Sequence, residues 1–120
     1  MKLKDVIYRF DREIDSTADD DAKVNWISKL DLMINREVLE PRGIARDDFE
    51  GYGEDMEAQV LAPGDFRDMY IRYMEAQWFR GLHEDAGYNR AANAFNTEYL
   101  AYADWINRHH MARRTPLRIV

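Results

Sequence analysis

The sequence predicts an all-α domain of about four helices, and three observations predict it. Apolar residues recur at spacings of three and four in four separate segments, the mark of amphipathic helices. Turn and capping residues, chiefly Asp, Pro and Gly, punctuate the chain between them. At 120 residues the chain is long enough for one core, since a domain this size buries roughly two-thirds of its unfolded surface. It has no cysteine, so disulfides, thiolate metal sites and thiol nucleophiles are excluded.

The first helix places Leu3, Ile7, Phe10 and Ile14 on one stripe. The run DSTADDD at 15–21 then breaks it and offers Asp19 or Asp20 as the cap of a second helix. Over residues 20–40, Ile27, Leu30, Ile34 and Val38 repeat the helical spacing, and Trp26, Met33 and Leu39 widen the face. That second helix should end at Pro41-Arg42-Gly43, because the proline ring blocks continuation and glycine invites a turn.

Between residues 44 and 64 the periodicity fails. This long acidic loop reads either as a segment that orders against a partner or as an extended piece packed on the helices. AQVLA at 58–62 is short and apolar enough for a strand, and with residues 49–52 it would form a minor β-hairpin.

A third helix begins after Pro63-Gly64, with Asp65 as its expected N-cap and Phe66, Tyr70, Tyr73 and Gln77 sharing a face beside Met69 and Met74. Gly81 and Gly87 bracket a weak region, and the fourth helix should run from Gly87 to about His109. The short connection makes the third and fourth helices a long antiparallel hairpin. At 100° per residue, Tyr88, Ala92, Phe95, Tyr99, Tyr102 and Ile106 fall within about 80° of one another, which predicts a buried seam. It is expected to pack on the third helix and on Trp26, Ile27 and Leu30. Asn89, Asn93 and Asn96, with Leu100 and Asn107, make a second ridge about a quarter turn away. Asparagine is a mediocre helix former, so this ridge either borders the core or contacts another chain. Residues 1–110 thus form a single helical domain, and 111–120 a basic, flexible tail.

Charge narrows the function classes. A formal net charge of −6 argues against phosphate-driven nucleic-acid binding. The opening residues MKLKDVIYRFDREID interrupt any apolar run with charges, which predicts a soluble chain without signal peptide or membrane helix. The charges are polarised. Asp47, Asp48, Glu50, Glu54, Asp55 and Glu57 crowd residues 47–57 without a base, whereas Arg108, Arg113, Arg114 and Arg118 fall in a stretch without an acid. Either these are two solvated segments, or they meet between neighbouring subunits.

Catalytic patterns fail one by one. Asp48, Glu50 and Gly53 match three places of a calcium loop, but Tyr52 and Gln59 occupy two liganding places. His83-Glu84 lacks a second histidine one turn on, and adjacent His109 and His110 point about 100° apart on a helix. A cationic helix terminus explains the histidine pair better. Neither Ser16 nor Ser28 lies in a nucleophile turn, and GYGEDM lacks the lysine of a phosphate loop. No enzymatic activity, metal or cofactor is expected.

The run VLAPGDFRDMYIRYMEAQ, then Glu84 to Asn89, Phe95-Asn96 and EYLAYADWINRHHM, resembles a family of small helical proteins from the structural modules of tailed bacteriophages and prophages. The N-terminal half fits its outline through Trp26 to Asp31 and Arg36 to Val38. The resemblance covers most of the chain and is most specific in residues 60–110. Glycine after Pro63, where an aromatic is usual, and a longer basic tail depart from the pattern. Such proteins are similar to head-tail connectors, or adaptors, which ring the portal beneath a DNA-filled head. The resemblance implies a non-enzymatic virion assembly role. Its partners would be further copies of itself, the portal and tail completion proteins, in the host cytoplasm and then in the virion neck.

A ring built head to tail needs two unlike complementary patches on one chain. The expected contacts are the acidic loop of one subunit against Arg113, Arg114 and Arg118 of the next, with the asparagine ridge as a further face. The alternative is a small acidic phage protein that binds a host factor, as a DNA mimic or inhibitor.

Overall fold

The computed structural model describes residues 1–110 and is all-α: α1 (Leu3–Glu13), α2 (Asp20–Ile34), α3 (Arg67–Gly81) and α4 (Asp85–His109). The core is a single cluster. Leu3, Val6 and Phe10 of α1, Ile27, Leu30 and Ile34 of α2, and Met69, Tyr70, Ile71 and Met74 of α3 are fully buried in it. Burying a side chain of this size contributes roughly 1.5–3 kcal/mol. Phe10 meets Trp26 edge-on at 6.1 Å, which seals α1 onto α2. At the margin of that contact, buried Lys23 reaches Asp11 at 2.7 Å, and Arg72 of α3 reaches Glu13 at 3.0 Å.

The ends of α2 are set by its sequence. Asp19 accepts from the Ala22 N–H at 2.9 Å, a side-chain cap. At the other end α2 widens into a π-helical turn, Asn35–Leu39, and tightens into a 3₁₀ turn, Glu40–Arg42. Gly43 then takes φ +73°, and the Gly43 and Ile44 N–H groups return to Glu40 and Leu39 carbonyls. This is a glycine C-cap that satisfies carbonyls the helix leaves open.

Two expected helix starts shift. Asp65 does not cap α3. A 3₁₀ turn, Gly64–Phe66, precedes the helix, and Phe66 occupies the cap position without a side-chain bond. The turn directs the Phe66 ring onto Tyr102 and Trp105, at 5.0 and 5.4 Å, so aromatic packing sets this entry. The fourth helix begins at Asp85, two residues before Gly87. His83, at φ +57°, makes the reversal, and Gly87 lies buried inside α4.

The predicted seam of α4 is rotated. Near the hairpin apex Gly87 and Ala91 are the buried positions, while Tyr88, Phe95 and Tyr99 are half-buried beside them. Only Tyr102 and Ile106, further down, are fully inside. At the apex α3 has one helix to pack on, and small residues let the backbones approach while Phe95 meets Tyr73 at the flank, 5.3 Å away. Trp26 is engaged by α1. The lower half of α4 instead joins the continuation of α2, where Tyr99 donates to Glu37 at 2.9 Å and Arg42 donates to Asn107 at 2.7 Å.

The packing makes Gly87 a test of hairpin closeness. A Cβ there would lie 2.8 Å from Cγ of Phe79, whereas at Gly81 nothing stands within 4 Å. Gly87→Ala should therefore cost about 1–2 kcal/mol net of its better helix propensity. Gly81→Ala should be neutral or stabilising. Urea unfolding midpoints compare the two, and equal midpoints would mean that the helices do not approach closely at Gly87.

Candidate functional site: the anchored acidic loop and the asparagine ridge

The 44–64 segment has little secondary structure, yet both of its halves are tied to the bundle. Its C-terminal half lies beside the start of α1. The Leu3 and Lys4 N–H groups donate to the Ala58 and Met56 carbonyls at 2.8 and 3.0 Å, and the Val60 N–H donates to the Met1 carbonyl at 2.9 Å. The loop thereby satisfies helix-terminal donors that α1 cannot pair internally. The sole β pairing among the described residues is the antiparallel bridge Lys2 to Gln59. The candidate strand at 58–62 thus pairs with the N-terminus. The minor hairpin with residues 49–52 does not form, because residues 51–52 are held against α2.

That hold centres on Asp31, which is 0% exposed. One carboxylate oxygen accepts from the Tyr70 hydroxyl at 2.7 Å. The other accepts from the Tyr52 hydroxyl and from the Leu61 N–H, the latter at 3.1 Å. Tyr70 in turn accepts from the Ala62 N–H at 3.0 Å, and the Tyr52 N–H donates to Ser28 Oγ at 2.8 Å. Gly51, at φ +105°, adopts a conformation that side chains rarely take and lies against Ser28. A second clamp is Asn35, whose side chain both donates to the Arg46 carbonyl and accepts from the Arg46 N–H, at 2.9 and 2.8 Å.

Burial pushes the Asp31 carboxyl above its ordinary value, against the three donors that favour its charge. Burial, followed by the Asp31 charge, raises the Tyr52 and Tyr70 hydroxyls, and the same two causes push Tyr102 up to about 12. The network can accept a proton. The Gln59 carbonyl lies 3.3 Å from the Tyr52 hydroxyl, so Tyr52 can donate there while a protonated Asp31 donates to Tyr52.

The six predicted loop acids do not form one cluster. Glu57 pairs with Lys2 at 2.7 Å and with Lys4, and the Lys2 hydrogen bond leads the effects that draw its carboxyl down to about 2. Asp55 accepts from the Glu57 N–H at 3.0 Å, which shapes the turn. Glu50 and Glu54 face Asp21 and Lys29 across a cleft of about 370 Å³ between the loop and α2. Asp47 and Asp48 line a hollow with Arg46 and Phe49 on another side. Among the described residues no group of three or more His, Asp or Glu is arranged to hold a metal ion. Nor is any helix among them long and apolar enough to cross a membrane.

Asn89, Asn93 and Asn96 are exposed, and so is Leu100 on the same ridge, at 67%. Asn107 alone belongs to the packed end of the ridge, through Arg42. The first three asparagines therefore do not border the core. Arg113, Arg114 and Arg118 lie outside the described residues.

Sequence periodicity overlooks the anchor itself, Asp31 with Ser28, Tyr52 and Tyr70. One signal is readable: Asp31 stands in register with Ile27, Ile34 and Val38, a carboxylate on an apolar stripe. Compared with known proteins, the chain matches no family model, no curated protein and no solved structure.

Because its folded pKa stands above the unfolded value, Asp31 contributes stability that is fully present below pH 3.8 and lost as pH rises through the raised folded value. Asp31→Asn cannot titrate. Unfolding free energies of the wild type and this variant, compared from neutral pH downward, should diverge in favour of the wild type, with the depressed Glu13 and Glu57 cancelling between them. A pH-independent difference would contradict the upward shift that burial imposes on Asp31. Asp31→Ala, which strands the Tyr52, Tyr70 and Leu61 donors, should cost about 2–4 kcal/mol at neutral pH and more as the pH falls.

Proposed function

We propose that this chain is a non-enzymatic assembly protein of the head-tail connector type, acting in the structural module of a tailed phage or prophage. The observation that carries the reading is that one helical unit presents two unlike fixed surfaces. One is the acidic loop, held by Asp31 and Asn35. The other is the exposed ridge of Asn89, Asn93, Asn96 and Leu100 on α4. A subunit that joins its copies head to tail needs two different patches that keep their shape before assembly. A 67% exposed leucine flanked by amides fits the centre of a protein contact, apolar in the middle and hydrogen-bonding at the rim.

The phage assignment itself rests on the sequence resemblance in residues 60–110. In this reading the partners are further copies of the chain, the portal and the tail completion proteins, and the chain passes from host cytoplasm to virion neck. The cleft flanked by Asp21, Glu50 and Glu54 supports the second reading, an acidic protein that binds a cationic host factor.

Particles purified from the strain that carries the gene separate the two. The chain should be present in particles, and Leu100→Asp with Asn93→Ala should remove it from them while changing unfolding free energy by less than about 0.5 kcal/mol, as exposed substitutions do. Absence of the wild-type chain from particles, with capture of a basic host protein that Glu50→Lys with Glu54→Lys abolishes, would favour the second reading.

A further inference from the structure

The side of α4 turned away from the core carries Arg90, Asn93, Thr97, Leu100, Ala101 and Asp104, all exposed and all within about 100° of one another around the helix. Leu100, near its middle, is 67% exposed. Thr97 donates its hydroxyl back to the Asn93 carbonyl at 3.3 Å, so it needs no outside partner. The charges of this face lie toward its two ends and are opposite in sign. Arg90, over the Phe79 ring, stands seven residues before Thr97, and Asp104, in an exposed ion pair with Arg108, stands seven after it. Further out the signs invert, with the acidic first turn of the helix at Asp85 and Arg108 in its last turn. Counted outward from Thr97, the face is its own opposite.

We propose that this face of α4 pairs with the same face of a second copy, antiparallel about a two-fold axis beside Thr97. In that pairing Arg90 of each copy meets Asp104 of the other, and Arg108 of each meets the acidic first turn of the other. Between the charged ends Leu100 packs on Asn93, and Ala101 lets the helices come close. A parallel pair would set Arg90 on Arg90 and Asp104 on Asp104, which repels, whereas the antiparallel pair also opposes the two helix dipoles. A face complementary to its own reversal selects a second copy over an unlike partner. Area sets the strength. The 25 residues of α4 give a strip roughly 37 Å long, and at about 10 Å wide on each of two copies it amounts to roughly 750 Å². Stable complexes bury more, so the pair is weak and forms as concentration rises. The inference concerns the free chain and does not rest on the connector reading. On that reading the copies must part before the ridge can meet an unlike patch.

Sedimentation velocity of the full chain at low ionic strength, from about 10 μM to about 1 mM, should show monomer giving way to dimer. Arg90→Glu and Asp104→Arg should each weaken the pair at least about tenfold, since each turns two attractions into two repulsions. A one-to-one mixture of the two variants should restore the dimer, because the reversed charge of each chain then faces its opposite on the other. The native chain has no cysteine, so T97C should cross-link to itself under mild oxidation, while A86C, about 33 Å from its counterpart across the axis, should not. A wild-type chain that stays monomeric through this range, single variants that pair as well as wild type, a mixture that stays monomeric, or cross-linking through A86C instead of T97C would each overturn the proposal.

Discussion

A single buried carboxylate, Asp31, is the constraint on which the arrangement of the N-terminal half and the loop depends. A charge cannot leave water without partners, and three donors meet this one: two tyrosine hydroxyls and the Leu61 N–H. Those donors come from different parts of the chain, Tyr52 and Leu61 from the loop and Tyr70 from α3. Satisfying one side chain on α2 therefore ties the 44–64 segment to the bundle at Tyr52 and Leu61, between α2 and α3. The second layer is backbone: Ala62 leans on Tyr70, Tyr52 on Ser28, and Arg46 on Asn35. A segment without regular structure still has its buried polar groups accounted for, because side chains supply what a sheet would otherwise provide.

The loop in turn serves the first helix. Its carbonyls at Met56 and Ala58 take the leading N–H groups of α1, and Glu57 gathers Lys2 and Lys4 at the same end. The lysines are well exposed and the ion pairs screened, so the backbone bonds matter more than the charges here. The hairpin obeys a different rule. Where α3 and α4 have only each other, near Gly87 and Ala91, small residues permit a close approach. Where α4 meets the π turn after α2, Tyr102 and Trp105 pack on the Phe66 ring.

Periodicity makes the helices legible, and capping chemistry fixes the ends of the second: Asp19 and Gly43 act as their residue types dictate. The starts of α3 and α4 depart from expectation because local preference loses to packing. Asp65 is a good cap by type, but Phe66 has an aromatic pocket to enter. Gly87 looks like a breaker, but its missing side chain makes room for Phe79. The seam of α4 is displaced for the same reason, since large residues attract a core assignment while small ones set the distance between helices. In the candidate site, the acids of 47–57 are visible as a charge run, but their division between Lys2 and Lys4, the α2 cleft and the Arg46 hollow depends on contacts far apart in sequence. Asp31 is the instructive omission, because a charged residue in phase with an apolar stripe announces a buried network without naming its partners.

Held in this way, the loop backbone that carries the acids is tied to the bundle at several points before any partner arrives. Native-state hydrogen exchange of the wild-type chain tests this most directly. The amides of Tyr52, Leu61 and Ala62 should open with the same free energy as core amides of α2 and α3, since freeing them requires giving up the Asp31 network. If those three amides exchange as fast as the exposed amides around Gly53 and Glu54, the loop opens independently of the bundle and the anchor does not hold it.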